Sequence, residues 1–387
     1  MQLYPEVSMP KHILAHAQGL VYTLLHLMPS PYQQETLQAL LELFLEATGQ
    51  SLPAHSKVKS ASAISRFLNQ YQWPTRQVIR TVRQAAIERL LKIRMPGRQP
   101  YLQVILDLTT LEKTGKFKAM PGLIRVYHGK RGLHLVVMYL VVGKWRLPWN
   151  FRVYRGKDTP SPAQLGLQLL RRLPQSLTKR FQILVLADTA FGSIEFLEGT
   201  KQLGYPTIVG VRKDRKQQAG GPISQLSHRG QQTHLVGLRF PVGVSWFWLK
   251  RENGKRELRY VLSTKPWKGS TITRWGKRRW QIEGWFKTAK HRFSLDRFAQ
   301  GTLTGAYRWL VLSMIAYLLA HWAYLTTAMS GLSEWGQAAR LAMELWFPHL
   351  LVMTLIADVE QLRSRTTQIS HAATGSGPPF ILVQDMS

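Results

Sequence analysis

No cysteine occurs anywhere in the 387 residues. Disulfides, thiolate zinc sites and thiol nucleophiles are therefore excluded. Acids are scarce as well: 21 Asp and Glu stand against 52 Lys and Arg, for a formal charge of +31. An imbalance of that size points to an anionic partner, nucleic acid first and an anionic membrane surface second. The first residues show no signal-peptide pattern, since Glu6 comes early and no small-residue cleavage site follows a clean apolar run. A clean membrane-length run is missing too. Trp309–Leu325 is interrupted by Ser313 and His321 and lies near the lower length limit for spanning, so a buried core helix is expected there. These absences together predict a soluble, cytoplasmic protein with no membrane partner.

The positive charge is unevenly placed. Residues 1–50 hold one Lys against four Glu, and residues 330–387 hold three Arg against five acids. The excess lies between about 51 and 297. Its densest stretch is Lys265–Arg297, with ten Lys and Arg and two acids. Within it Arg279, Glu283 and Lys290 stand at i, i+4 and i+11. A single helix around 272–293 would place all three on one face, an acid framed by two bases.

The N-terminal part reads as helical. Gln34–Ala47 carries a broad Leu-rich face, and Ser60 or Ser62 is placed to cap a short helix through Leu68. Gln70–Pro74 breaks it, and Thr75 opens a second helix to about Ile93. There Ile79, Val82, Ala86 and Leu90 form the expected buried stripe, with Arg76, Arg80 and Arg83 on another face. Two helices around a short break, the second one basic, fit a helix-turn-helix reader of DNA; an ordinary bundle with solvated arginines is the plainer reading.

Past Pro96, Gly97 and Pro100 the pattern changes to strands. Tyr101–Leu106 ends at Asp107, Leu133–Val142 and Trp145–Val153 follow, and Phe181–Ala187 ends at Asp188 after a helix over Ala163–Arg172. A helix over Ser193–Leu203 and a strand over Thr207–Val211 complete a mixed sheet with helices on its faces. Between Arg212 and Thr264 the strands expected are Thr233–Phe240, Val244–Lys250 and Glu257–Ser263, with Asn253-Gly254 as a hairpin turn. They suggest a small inserted antiparallel unit. Helices resume from Thr302 to about Ile356, and the tail from about Arg365 is rich in Gly and Pro.

Asp107 and Asp188 close apolar strands, where α/β sheets present ligands, and Glu283 sits in the basic stretch. Each acid has a plain alternative: a turn or cap residue for either Asp, an i,i+4 ion pair to Arg279 or Lys287 for Glu283. Brought together, three carboxylates would repel unless cations lay between them. Two Mg²⁺ or Mn²⁺ ions satisfy oxygen-only ligands and suit phosphodiester chemistry.

ILDLTTLEKTG (Ile105–Gly115), VLADTAFGS (Val185–Ser193) and the Arg279/Glu283/Lys290 spacing resemble the DDE transposases of bacterial insertion sequences. The specific likeness is to the insertion-sequence-four superfamily, with its Tyr-x2-Arg-x3-Glu-x6-Lys signature; the Tyr position is Gly276 here, with Trp275 beside it. The resemblance spans roughly residues 100–325. It implies an RNase H-like mixed-sheet core with an inserted antiparallel β subdomain, plus N-terminal and C-terminal helical regions. With the residue pattern outside that stretch, the expected division is a helical DNA-binding region (1–97), the first part of the catalytic core (98–211), the insertion (212–268), the catalytic helix with C-terminal helices (269–364) and a flexible tail (365–387).

By the same likeness Asp107, Asp188 and Glu283 are the catalytic residues and hold two Mg²⁺ or Mn²⁺ ions. Arg279 and Lys290 contact phosphates. Apart from the likeness, Lys287 and Trp280 in the basic stretch and Arg76, Arg80 and Arg83 of the helix-turn-helix pattern are further expected DNA contacts. The implied partners are double-stranded DNA, as terminal inverted repeats and target, and a second copy of the chain in a homodimer. The implied setting is bacterial cytoplasm, associated with the nucleoid. In some relatives a Trp stacks on a flipped base; Trp246, Trp248 and Trp267 are candidates, although Trp246 and Trp248 share a strand face where core packing is expected. Two alternatives stand beside strand transfer: an endonuclease of the same fold, and a catalytically inactive DNA-binding repressor.

Overall fold

In the computed structural model, which describes residues 9–46, 59–93, 99–114, 117, 120, 122–250, 254–327, 335–347, 359 and 363, every residue from Gly132 to Val142 is buried. They belong to β3 (Lys130–Val142), whose unbroken apolar run is what a strand covered on both faces requires. On one side β3 pairs antiparallel with β1 (Tyr101–Glu112), on the other with β4 (Trp145–Tyr154) and the short β2 (Arg125–Tyr127). Beyond β1 lie β5 (Gln182–Ala187) and β6 (Thr207–Val211), both parallel to it. The core order β4-β3-β1-β5-β6, with only β3 reversed, is the RNase H-like α/β arrangement.

The segment between β6 and the basic helix adds strands to this same sheet. β9 (Arg256–Ser263) pairs antiparallel with β6, followed by β8 (Val242–Lys250) and β7 (Gln231–Thr233), making nine strands among the described residues. The strand expected over Thr233–Phe240 is shorter than its pattern suggests. The chain leaves β7 at Thr233 and turns at Gly237 (φ 83°), so Leu235 and Leu238 are buried from a loop. Gly254 has the positive φ (76°) of the expected hairpin turn, while Asn253 lies outside the described residues.

Helices α5 (Pro162–Leu170), α6 (Gln175–Arg180) and α7 (Ile194–Gln202) connect the parallel strands. A Cβ built at Gly166 in α5 would lie 3.2 Å from Leu106 Cδ1, so even-numbered residues of β1 face α5. Alternation then turns Gln103 and Asp107 to the opposite face. That face carries α8 (Gly269–Arg278) and α9 (Gln281–Arg292), and Gln281 Nε2 donates to Gln103 Oε1 at 3.2 Å. The single helix expected around 272–293 is thus two. At Arg279 and Trp280 the hydrogen bonds tighten to i→i+3: Ile282 N–H donates to Arg279 O and Glu283 N–H to Trp280 O.

α10 (Leu303–Leu325) is long and apolar enough to cross a membrane by length and composition, yet 78 % of its apolar window is buried within the protein. It packs on α1 (Met9–His26), α2 (Pro31–Glu46), α3 (Ala61–Asn69) and α4 (Thr75–Leu91). Ser60 caps α3 by accepting from Ala63 N–H. Arg308 of α10, itself buried, donates to the carbonyls of Phe67, Leu68 and Tyr71 at the end of α3, satisfying acceptors a helix terminus leaves open. A further helical segment covers 335–347; the proposed tail lies outside the described residues.

Candidate active site

Leu106 and Ala187 are the last register partners of the parallel pair β1–β5. Asp107 and Asp188 each come one residue later, so two carboxylates leave neighbouring strands at one sheet edge, about 4.8 Å apart laterally. β1 does not stop there: pairing with β3 carries it on to Glu112, and Asp107 is mid-strand rather than at its end. What ends at Leu106 is the parallel pairing. The plain readings of both aspartates fail here. Asp188 precedes the 3₁₀ turn Thr189–Phe191 without a side-chain cap bond. Asp107 Oδ1 accepts from Leu108 N–H at 2.8 Å, but inside a strand. The turn after Asp188 lies tight on β6, because a Cβ at Gly210 would come within 2.8 Å of Thr189 Oγ1.

Glu283 enters from the first turn of α9, and Arg279, at the α8–α9 junction, binds all three acids. Its Nη1 donates to Asp107 Oδ2 at 2.8 Å; its Nη2 lies 2.6 Å from Glu283 Oε1 and 3.9 Å from Asp188 Oδ1. The i,i+4 ion pair offered as the plain reading of Glu283 is present, as one of three. Burial pushes the Asp107 carboxyl up to about 7, despite the Arg279 guanidinium; Asp188 and Glu283 add to the rise. One guanidinium leaves three carboxylates with surplus negative charge. Burial also works against the Arg279 charge, but the three carboxylates outweigh it and raise its pKa.

The other expected contacts are scattered. Lys290 Nζ donates to Thr110 O at 2.9 Å, tying α9 to β1, and burial lowers its pKa. Lys287 is exposed. Trp280 is half-buried, edge-on to Phe247 with ring centroids 5.5 Å apart. Arg76 and Arg80 are exposed on α4, whereas Arg83 turns toward β4 and donates to Trp149 O at 3.4 Å. Core packing holds for neither Trp246 nor Trp248 in full. Phe247 is the inward residue at 4 % exposure, Trp246 is half-buried against Tyr260, and Trp248 is 59 % exposed. Trp267 lies edge-on to Tyr101.

Asp188, Glu283 and Arg279 line a cleft of 1470 Å³ whose far wall is built by the added strands. That wall brings basic residues the motif reading missed: Arg212, Lys213, Lys250, Arg256 and Arg259. The run Arg212–Lys216, four bases around one Asp, was the visible signal for the first two. β9 pairs with β6 only from Tyr260 onward, so the hairpin end Arg256–Arg259 projects past the sheet edge beside the acids.

The donor set is oxygen-only and drawn from three elements, which suits a hard divalent cation. Among the described residues, no three such side chains stand close enough to share one ion as they are. The Arg279 guanidinium lies between them.

A family model described as a transposase DDE domain matches residues 98–319. Among solved structures, the chain is similar to the piggyBac transposase in its cryo-EM synaptic complex with hairpin DNA. That likeness has 13 % identity and a TM-score of 0.45, covering 87 % of this chain and 77 % of that one. No curated protein matches in sequence.

Proposed function

Because the chain belongs to the family defined by the transposase DDE domain, we propose that it cuts DNA at the ends of a mobile element and joins those ends to target DNA, as a member of the insertion-sequence-four group. The observation that carries this is the convergence of Asp107, Asp188 and Glu283 on one guanidinium at the mouth of a basic cleft. Three acids from β1, the β5 end and α9 carry more negative charge than the one guanidinium they share can neutralise, which supports a site where further cations are handled. Asp107, Asp188 and Glu283 would hold Mg²⁺ or Mn²⁺. When bound, such ions activate water or a 3′ hydroxyl and stabilise the leaving oxygen of a phosphodiester.

The protein's own residues do the rest. Arg279 keeps three like charges together and, on releasing them, is placed to take a phosphate. Lys290 fixes α9 against β1, so Glu283 stays aligned with Asp107. Arg212, Lys213, Lys250, Arg256 and Arg259 line the path of a polyanion along the hairpin wall.

The test uses full-length protein, duplexes carrying the element's terminal repeats, and Mg²⁺ or Mn²⁺. Wild type should cut and, given pre-cut ends, yield joined products; Glu283→Ala should bind the ends but cut nothing. Cutting without joining would replace the proposal with an endonuclease. Salt-sensitive binding with no cutting would replace it with a DNA-binding repressor.

A further inference from the structure

The outer edge of the sheet carries a second cluster of positive charge that the cleft does not use. On α4, Arg83 packs inward: Nη2 donates to Trp149 O at 3.4 Å and the guanidinium lies 5.7 Å from the Trp149 ring. Its Nε is buried without a hydrogen-bond partner, and so is Nε of Arg152 on β4. Burial, and then the charges of Arg152 and Arg172, lower the Arg83 pKa, while Tyr307 acts in the opposite direction. Arg172, just past α5, is exposed.

Among the described residues, no carboxylate forms an ion pair with any of these three arginines. Arg308 shows what a buried arginine with a purely structural role looks like here: it too lacks an acid, but its Nη1 alone reaches three carbonyls. Arg83 and Arg152 have no such set of acceptors. Gathering like charges with unsatisfied donors costs free energy that a bound anion offsets, and a planar guanidinium suits a phosphate bidentately.

The register Leu108↔Val136↔Arg152 places Arg152 level with Leu108, the residue after Asp107, two strands and about 10 Å across the sheet, and on the α5 face, opposite the one that carries Asp107. Its surroundings extend the charge: Arg76 and Arg80 are exposed on α4, and Arg155 and Arg171 beyond β4 and α5. We propose that Arg83, Arg152 and Arg172 form a phosphate-binding site that grips a backbone phosphate of duplex DNA at the β4 edge, outside the cleft. The inference rests on the transposase reading, which supplies the DNA; inorganic phosphate is the other source of the same chemistry.

The experiment measures DNA affinity of the full chain by fluorescence anisotropy across a salt series. Since Arg83 also packs on Trp149, the double variant Arg152→Gln/Arg172→Gln carries the test. Its plot of log K against log salt should be shallower than wild type by about 0.9, the value for one neutralised phosphate. The loss should be equal on terminal-repeat and unrelated duplexes, because a phosphate contact reads no sequence. An unchanged slope overturns the site. Tight binding of inorganic phosphate by wild type, with the DNA slope unchanged in the double variant, overturns the assignment to DNA. Glu283→Gln is assayed in parallel for cutting. If it abolishes cutting while the arginine variant keeps its slope, only the edge site falls; a wild type that neither binds nor cuts DNA overturns the transposase reading beneath it.

Discussion

Arg279 and Asp107 are paired almost out of reach of water: Nη1 lies 2.8 Å from Oδ2, and the two side chains are 11 % and 10 % exposed. Asp188 and Glu283, which the same guanidinium reaches, are 42 % and 49 % exposed, so solvent screens those two pairs and their share is small. Removing one partner of a buried pair strands the other charge. Arg279→Gln should therefore cost about 3 kcal/mol of stability in EDTA, nearly all through Asp107. Urea unfolding checks this. Mn²⁺ should narrow the gap between variant and wild type, because a divalent cation can take over the neutralising role. Equal stability of the two proteins in EDTA would show that Arg279 does not hold the acids together.

Gly276 stands at the position that the proposed insertion-sequence-four likeness would give to Tyr, and it is closely packed. α8 lies so close to β9 that a Cβ at Gly276 would sit 3.0 Å from Val261 Cγ1. Gly276→Tyr should destabilise the protein by about 2 kcal/mol through overpacking, despite the better helix propensity of Tyr. Val261→Ala in the same chain should recover part of that loss. A double-mutant cycle by urea unfolding measures the coupling, and additive costs would mean the close approach is not the cause.

Neighbouring residues of β8 should respond oppositely to truncation. Phe247 is buried at 4 % exposure between the hairpin and Trp280, whereas Trp248 is 59 % exposed on the other face. Phe247→Ala should cost about 3–5 kcal/mol and Trp248→Ala under about 0.5 kcal/mol, read from thermal or urea unfolding. A large loss at Trp248 would mean that its face is covered after all.

These residues also show what could be read from the sequence. An apolar run ending in an acid located Asp188, the strand Thr207–Val211 matches β6 at both ends, and of the two serines placed to cap α3, Ser60 or Ser62, the cap is Ser60. The orientation of β8 was hidden, because Trp246, Phe247 and Trp248 are all apolar and alternation needs a polar partner to mark the outer face. The break at Arg279 was hidden for another reason. No Pro or Gly falls at 279 or 280; the helix tightens where Arg279 reaches Asp107, 172 residues earlier in the chain. Helical spacing anticipated the contact with Glu283, but the contacts with Asp107 and Asp188 come from the sheet register. The edge cluster was half visible: Arg83 lay in a plausible DNA-facing pattern, but its partners Arg152 and Arg172 sit on elements that only the fold brings together.

A buried histidine far from the cleft makes stability depend on pH. His321 of α10 accepts a hydrogen bond at Nε2 from Arg146 N–H at 3.0 Å, while its Nδ1 has no partner. Burial, with the Arg146 charge adding to it, pushes its pKa down to about 3. The folded protein thus refuses a proton that the unfolded chain accepts below about 6.5. The contribution is complete above that pH and is lost as pH falls toward 3; by pH 5 it amounts to about 2 kcal/mol. Asp107 works in the opposite sense. Its raised pKa makes the folded state bind more protons than the unfolded chain between about 4 and about 7, so its term rises as pH falls. The two overlap in the wild-type profile, and the informative quantity is the difference between wild type and His321→Gln. Gln offers a carbonyl acceptor to Arg146 N–H and cannot titrate. Wild type should lose about 2 kcal/mol relative to the variant between pH 7 and pH 5, measured by urea unfolding. A difference independent of pH would mean that His321 takes up its proton at the same pH folded as unfolded, and that its bond to Arg146 is not the one described.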